Sequence, residues 1–165
     1  MSTFEDDRYR WRETYFVLFA SDRRPTLKTI EKKLSALSRR YTLENLGGDK
    51  HGNFESLTLI SPDDFAALDI CYTSGAEVLE HVTEMVEELK STIEPGQRPL
   101  LKRLKECDAR FDVLHFEQIS ESGDDEDSDE LLDPSALLAV LDELARMTGG
   151  TAVDPQSGTI LGMEE

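Results

Sequence analysis

Asp125, Asp127 and Asp129 alternate as the first three oxygen ligands of a calcium-binding loop do, because donors at positions 1, 3 and 5 can converge on a hard cation. Position 6 is Glu130, where the sharp turn needs glycine, and position 12 is Ala136, where a bidentate glutamate closes the site. The spacing therefore argues for a solvated acidic run rather than a metal site, and no metal ligand is assigned. Gly47, Gly48, Lys50 and Gly52 bring glycines and a lysine together as a phosphate-cradling loop does. No Gly-Lys-Ser/Thr follows, however, and the next residues read as a strand instead of a helix, so this segment is a hairpin tip. His51, His81 and His115 are dispersed and form no His-x-x-x-His pair. Cys71 and Cys107 lie far apart, with neither metal spacing nor an activating motif, and read as free thiols. No Gly-x-Ser-x-Gly elbow is present. Asp63, Asp64 and Asp69 could pair as acid–base carboxylates, but Asp63 and Asp64 are explained by the first turn of a short helix, where the dipole favours negative charge. No catalytic residue and no cofactor is assigned. An enzyme would need a site assembled from scattered residues.

Two segments remain as candidate partner-binding residues. Arg8, Arg10 and Arg12 alternate with Tyr9 and Trp11, so an extended chain presents three guanidinium groups on one side and two rings on the other. Such a segment could grip phosphate or stack on a base, although the commoner outcome is rings against the core and arginines paired with acidic groups, Asp124 to Glu130 among them. The second segment is that acidic run: Asp124, Asp125, Glu126, Asp127, Asp129 and Glu130. Dense carboxylates steer cationic partners, but the absence of any aromatic residue after Phe116 deprives this region of the usual binding anchors.

Charge is unevenly distributed. Residues 1–60 carry nine acidic and eleven basic side chains, residues 61–118 thirteen and six, and residues 119–165 thirteen and one, giving +2, −7 and −12 within a net −17. This balance argues against nucleic acid and anionic membranes, because phosphate binding needs clustered Lys and Arg; it allows a basic protein partner, and equally a surface that only preserves solubility. With no apolar run of membrane-spanning length and no signal-peptide pattern, a cytoplasmic protein is expected.

The elements that must position these residues follow from periodicity. Thr14–Ala20 is a continuous β-branched and aromatic run, as in a buried strand; Leu27, Ile30, Leu34 and Leu37 define a helix over 26–40. Residues 41–46 and 54–60 alternate around a glycine-rich tip and form a hairpin. Ser61 and Pro62 open a short helical turn, and Leu68, Ile70 and Tyr72 mark a further strand. Ser74 and Glu77 have capping-box spacing before a helix with Val78, Val82, Met85 and Leu89 inward and Glu80, Glu84, Glu87 and Glu88 outward. A shorter helix follows Pro99, then a strand over 110–118. Residues 120–132 are expected to be a mobile acidic loop. Pro134 opens a last helix with Leu137, Leu138, Leu141 and Leu144 as its core face, ending at Gly149, and 151–153 with 159–161 form a terminal hairpin.

The order predicts one α+β domain spanning residues 1–165: an N-terminal arm over 1–12, a largely antiparallel sheet with helices on one face, and an appended C-terminal helix and hairpin over 133–165. Its core resembles a ferredoxin-like split βαβ arrangement. Fold alone names no activity. The leading expectation is a non-enzymatic macromolecule-binding or regulatory protein that engages a basic partner. The alternative is a small-molecule-sensing oligomeric regulatory domain, with a ligand between helices and sheet.

Overall fold

The computed structural model describes residues 8–91, 94–118, 134–154 and 159–161. Seven strands form one antiparallel sheet: β1 (Tyr9–Phe19), β2 (Thr42–Gly48), β3 (Phe54–Ser61), β4 (Ala66–Ser74), β5 (Ala109–Gln118), β6 (Thr151–Asp154) and β7 (Thr159–Leu161), in the order β2-β3-β4-β5-β1-β6-β7. Among the described residues four α-helices accompany it: α1 (Leu27–Ser35), α2 (Ala76–Lys90), α3 (Arg98–Lys105) and α4 (Ser135–Thr148). The class is α+β, as the sequence implies.

The ferredoxin-like arrangement does not hold. In a split βαβ unit the strands joined by a helix run parallel with another strand between them. Here β4 and β5, joined through α2 and α3, are direct antiparallel neighbours from Ala66↔Glu117 to Ser74↔Ala109. β1 pairs with β5 along its whole length, from Tyr9↔Gln118 to Phe19↔Ala109. Tyr9 to Arg12 are therefore part of a central strand rather than a free arm. The C-terminal hairpin is no appendage either, since β6 pairs with β1 through Phe16↔Val153, Val17↔Ala152 and Leu18↔Thr151 and carries the sheet onward to β7.

The expectation of helices on one face is also corrected. Val17 and Phe19 pack with Ile30 and Leu34 of α1 and with Leu137, Val140, Leu141 and Leu144 of α4. Leu18, between them in sequence and opposite in direction, packs with Val78, Val82 and Val86 of α2 and with Leu100 and Leu104 of α3, joined by Val153. The sheet is thus a middle layer. A strand buried on both faces needs apolar residues at successive positions, which is why β1 reads Phe-Val-Leu-Phe without alternation. Each fully buried Leu, Ile or Phe contributes about 1.5–3 kcal/mol, so the two faces together hold the protein's main stabilising area.

Local chemistry sets the element ends. The Thr26 side chain accepts from the Thr29 amide at 3.1 Å and caps α1. Ser74 does not cap α2; the helix begins after Gly75, whose φ of 105° is open to glycine alone. Ser61 likewise does not cap its short turn but donates to Asp64 at 2.7 Å. Gly149, at φ 66°, ends α4 in the left-handed cap foreseen for it. Leu138, expected in the core, is 53% exposed; Val140 and Ala136 occupy the buried side instead.

Candidate functional site

Two polar clusters and one helical surface hold the chemistry-bearing side chains. The first cluster lies where β1 and β5 pair near Tyr9 and Gln118. A register shift between Trp11 and Glu13 marks a bulge in β1. Both Arg10 and Arg12 reach the same oxygen of Glu117: Arg10 Nε at 2.6 Å and Arg12 Nη1 at 3.4 Å, with Arg10 Nη2 also in contact. Glu117 is only 1% exposed. Two residues earlier on β5, His115 Nδ1 lies 3.1 Å from Glu13 Oε1. Glu13 also accepts from Tyr15, whose phenol is pushed up to about 12 by burial first and then by the Glu13 and Asp154 charges.

This cluster has the parts of an acid–base pair, since a carboxylate orients the imidazole from one ring nitrogen and leaves the other free. His115 Nε2 and Glu117 Oε2 are both buried without a hydrogen-bond partner. His115, however, is 1% exposed. A general base must come within hydrogen-bond reach of its substrate. The arrangement supports an internal charge network that fixes the β1–β5 register, at a cost of about 1–3 kcal/mol for each unmet buried atom.

The second cluster lies beneath α2. Arg110 donates to Asp112 at 2.7 Å, its guanidinium sits 4.5 Å from the Phe16 ring centroid, and its Nη1 lies 3.3 Å from His81 Nδ1. Burial and the Arg110 charge both hold the His81 imidazole below its ordinary pKa, so the ring accepts from Arg110 as a neutral base. Cys71 lies on the same sheet face, paired in register with Asp112. Burial and the Asp69 and Asp112 charges push its thiol up, the reverse of what a nucleophilic thiolate needs. Asp69 itself accepts from Thr58 at 2.8 Å. Burial likewise pushes Cys107 up to about 11. Both thiols are free, as the spacing implied, but of the two expected to be buried only Cys107 is, and Cys71 is partly exposed.

The remaining sequence candidates take plain roles. Asp49 accepts from the His51 and Asn53 amides at 2.8 and 2.9 Å and shapes the β2–β3 tip, which docks on the start of α1 through Leu27 N to Gly52 O at 2.9 Å. Those amide bonds hold the Asp49 carboxyl below its usual range. The glycines there serve a hairpin. Asp63 pairs with Arg40 at 2.9 Å and does not join Asp69. Among the described residues no group of three His, Cys, Asp or Glu could hold a metal ion. Trp11 is 41% exposed rather than covering the core, and donates to Thr14 at 3.1 Å. The Arg8 guanidinium lies 5.7 Å from the Tyr9 ring centroid. Asp124, Asp125, Glu126, Asp127, Asp129 and Glu130 lie outside the described residues.

The helical surface is the outer side of α2. Glu77, Glu80, Glu84, Glu87 and Glu88 are all exposed, opposite Val78, Val82, Met85 and Val86. Steps of three and four keep the acidic side chains on one ridge, beside Leu79, 48% exposed. The adjoining α3 has the opposite sign: Arg98, Lys102, Arg103 and Lys105 are exposed, and its sequence is RPLLKRLK. That basic run was legible as composition but hidden by the net charge. No described helix is long and apolar enough to cross a membrane. Comparisons with protein-family models, with curated proteins and with solved structures find no match for this chain.

Proposed function

We propose that this protein is a non-enzymatic macromolecule-binding or regulatory protein that engages a basic protein partner. The observation that supports it is the acidic ridge of α2, five exposed glutamates beside a half-exposed leucine. Carboxylates at helical spacing steer a cationic surface into register, and Leu79 offers apolar area that charge alone lacks. Among the described residues the groups suited to catalysis are buried, as His115 is, or held in the less reactive state, as both thiols are. The acidic residues Asp124 to Glu130 add to the attraction without being needed for the ridge.

The test is co-purification of the untagged chain from its native cell at low and then high salt. Enrichment of a basic protein at low salt and its loss at high salt is expected. If no basic protein is enriched at low salt, the reading fails.

A further inference from the structure

Two cavities adjoin along the seam of α2 and α3. One, of about 430 Å³, is lined by Lys90, Pro95, Arg98, Leu101, Lys102 and Lys105. The other, of about 240 Å³, is lined by Leu79, Val82, Thr83, Val86, Glu87, Lys90 and Lys105. Lys90 and Lys105 border both, so the pair forms a trough with Leu79, Val82 and Val86 beside Thr83 and Glu87 at one end, and Arg98 and Lys102 beside Pro95 and Leu101 at the other.

Four cations converge at the basic end of a chain whose net charge is −17. Lys90 is offset by Glu87 at 2.9 Å, and the Lys90 hydrogen bond and charge hold the Glu87 carboxyl below its usual range. Arg98, Lys102 and Lys105 make no ion pair with a carboxylate among the described residues. Glu87 offsets Lys90 and also feels the Lys105 charge, which leaves an excess of positive charge in the trough; a bound anion relieves the repulsion among those cations while accepting several charge-assisted hydrogen bonds. A guanidinium and two ammonium groups suit a compact, doubly charged head better than a single carboxylate. At the other end Leu79 stands half exposed beside the buried Val82 and Val86, and covering its apolar surface is favourable.

We propose that the α2–α3 trough binds a small amphipathic phosphomonoester, its phosphate between Arg98, Lys102 and Lys105 and its short apolar portion against Leu79, Val82 and Val86. The trough borders the acidic ridge and shares Leu79 and Glu87 with it, but its phosphate-binding cations Arg98, Lys102 and Lys105 lie on α3, outside the ridge. The same headgroup could arrive free or displayed on a lipid surface. The overall negative charge repels an anionic bilayer, and favours the free molecule.

The experiment is calorimetric titration of the full chain with hexyl phosphate, inorganic phosphate, the uncharged hexyl glucoside, and phosphatidylcholine vesicles containing phosphatidic acid. Saturable one-to-one binding of hexyl phosphate is expected, weaker binding of inorganic phosphate, and none of the glucoside. The double variant Lys102→Gln/Lys105→Gln, both positions being exposed, should bind hexyl phosphate about tenfold more weakly with an unchanged circular-dichroism melt. Leu79→Asn should weaken hexyl phosphate but not inorganic phosphate. No saturation by hexyl phosphate, equal affinity in the double variant, equal binding of the glucoside, or binding to the vesicles alone would each overturn the proposal.

Discussion

Glu117 keeps a carboxylate inside the sheet layer because Arg10 and Arg12 both bring a guanidinium to one of its oxygens. The sequence shows the three alternating arginines plainly, yet the glutamate that Arg10 and Arg12 share lies more than a hundred residues downstream, and nothing local marks it. Acidic surface residues were the expected partners; among the described residues Arg10 and Arg12 reach a buried glutamate on the neighbouring strand, and Asp124 to Glu130 lie outside those residues. Removing its charge leaves both arginines without that partner, but each is more than a third exposed, so water offsets part of the loss. Glu117→Gln is expected to lower unfolding free energy by about 2 kcal/mol in urea titration. Cys107 supplies a pH test. Its thiol is raised from 9.0 to about 11 in the folded chain, so folding favours the protonated form. The resulting stabilisation is fully present below pH 9 and is lost as pH rises towards 11. Melting temperature measured across that window should therefore fall more steeply for the native chain than for Cys107→Ala, in which only the other alkaline groups titrate. Parallel slopes would show that Cys107 does not contribute.

Helices and the first hairpin were readable because their signals are local: apolar residues at steps of three and four in α1 and α2, and glycine-rich turn chemistry between β2 and β3. Strand order was not, because β1 finds β5 and β6 across most of the chain and alternation does not name a partner. The two-faced sheet did leave a signal in β1, where Val17, Leu18 and Phe19 are all buried; an unbroken apolar run means cover on both sides. Gly150 joins α4 to β6, and here the sequence conceals a strict demand. A Cβ at this position would stand 2.4 Å from the Leu18 carbonyl oxygen and 3.0 Å from Phe19 Cβ, both on the central strand. Neither neighbour can yield without moving β1. Gly150→Ala is expected to cost at least about 2 kcal/mol, read as a lowered denaturant midpoint with an unchanged slope. At the start of α1, loss of the Thr26 cap in Thr26→Ala should cost about 1 kcal/mol in the same measurement.

Across the whole molecule, net charge hides local sign. The acidic excess led the sequence reading to residues 124–130, which fall outside the described residues, whereas the described surface sets an acidic ridge on α2 beside basic α3. Composition along the chain could reveal both runs, but their adjacency depends on the pairing of two antiparallel strands that places α2 and α3 on one face. The proposed attraction of a basic partner by the α2 ridge is tested by charge reversal in the native-cell capture. Glu80 and Glu84 are exposed on the outer side of α2, so Glu80→Lys/Glu84→Lys should keep the wild-type melt. The predicted result is loss of the basic protein captured by the wild-type chain at low salt, by at least about tenfold. Undiminished capture by that double variant would contradict the claim.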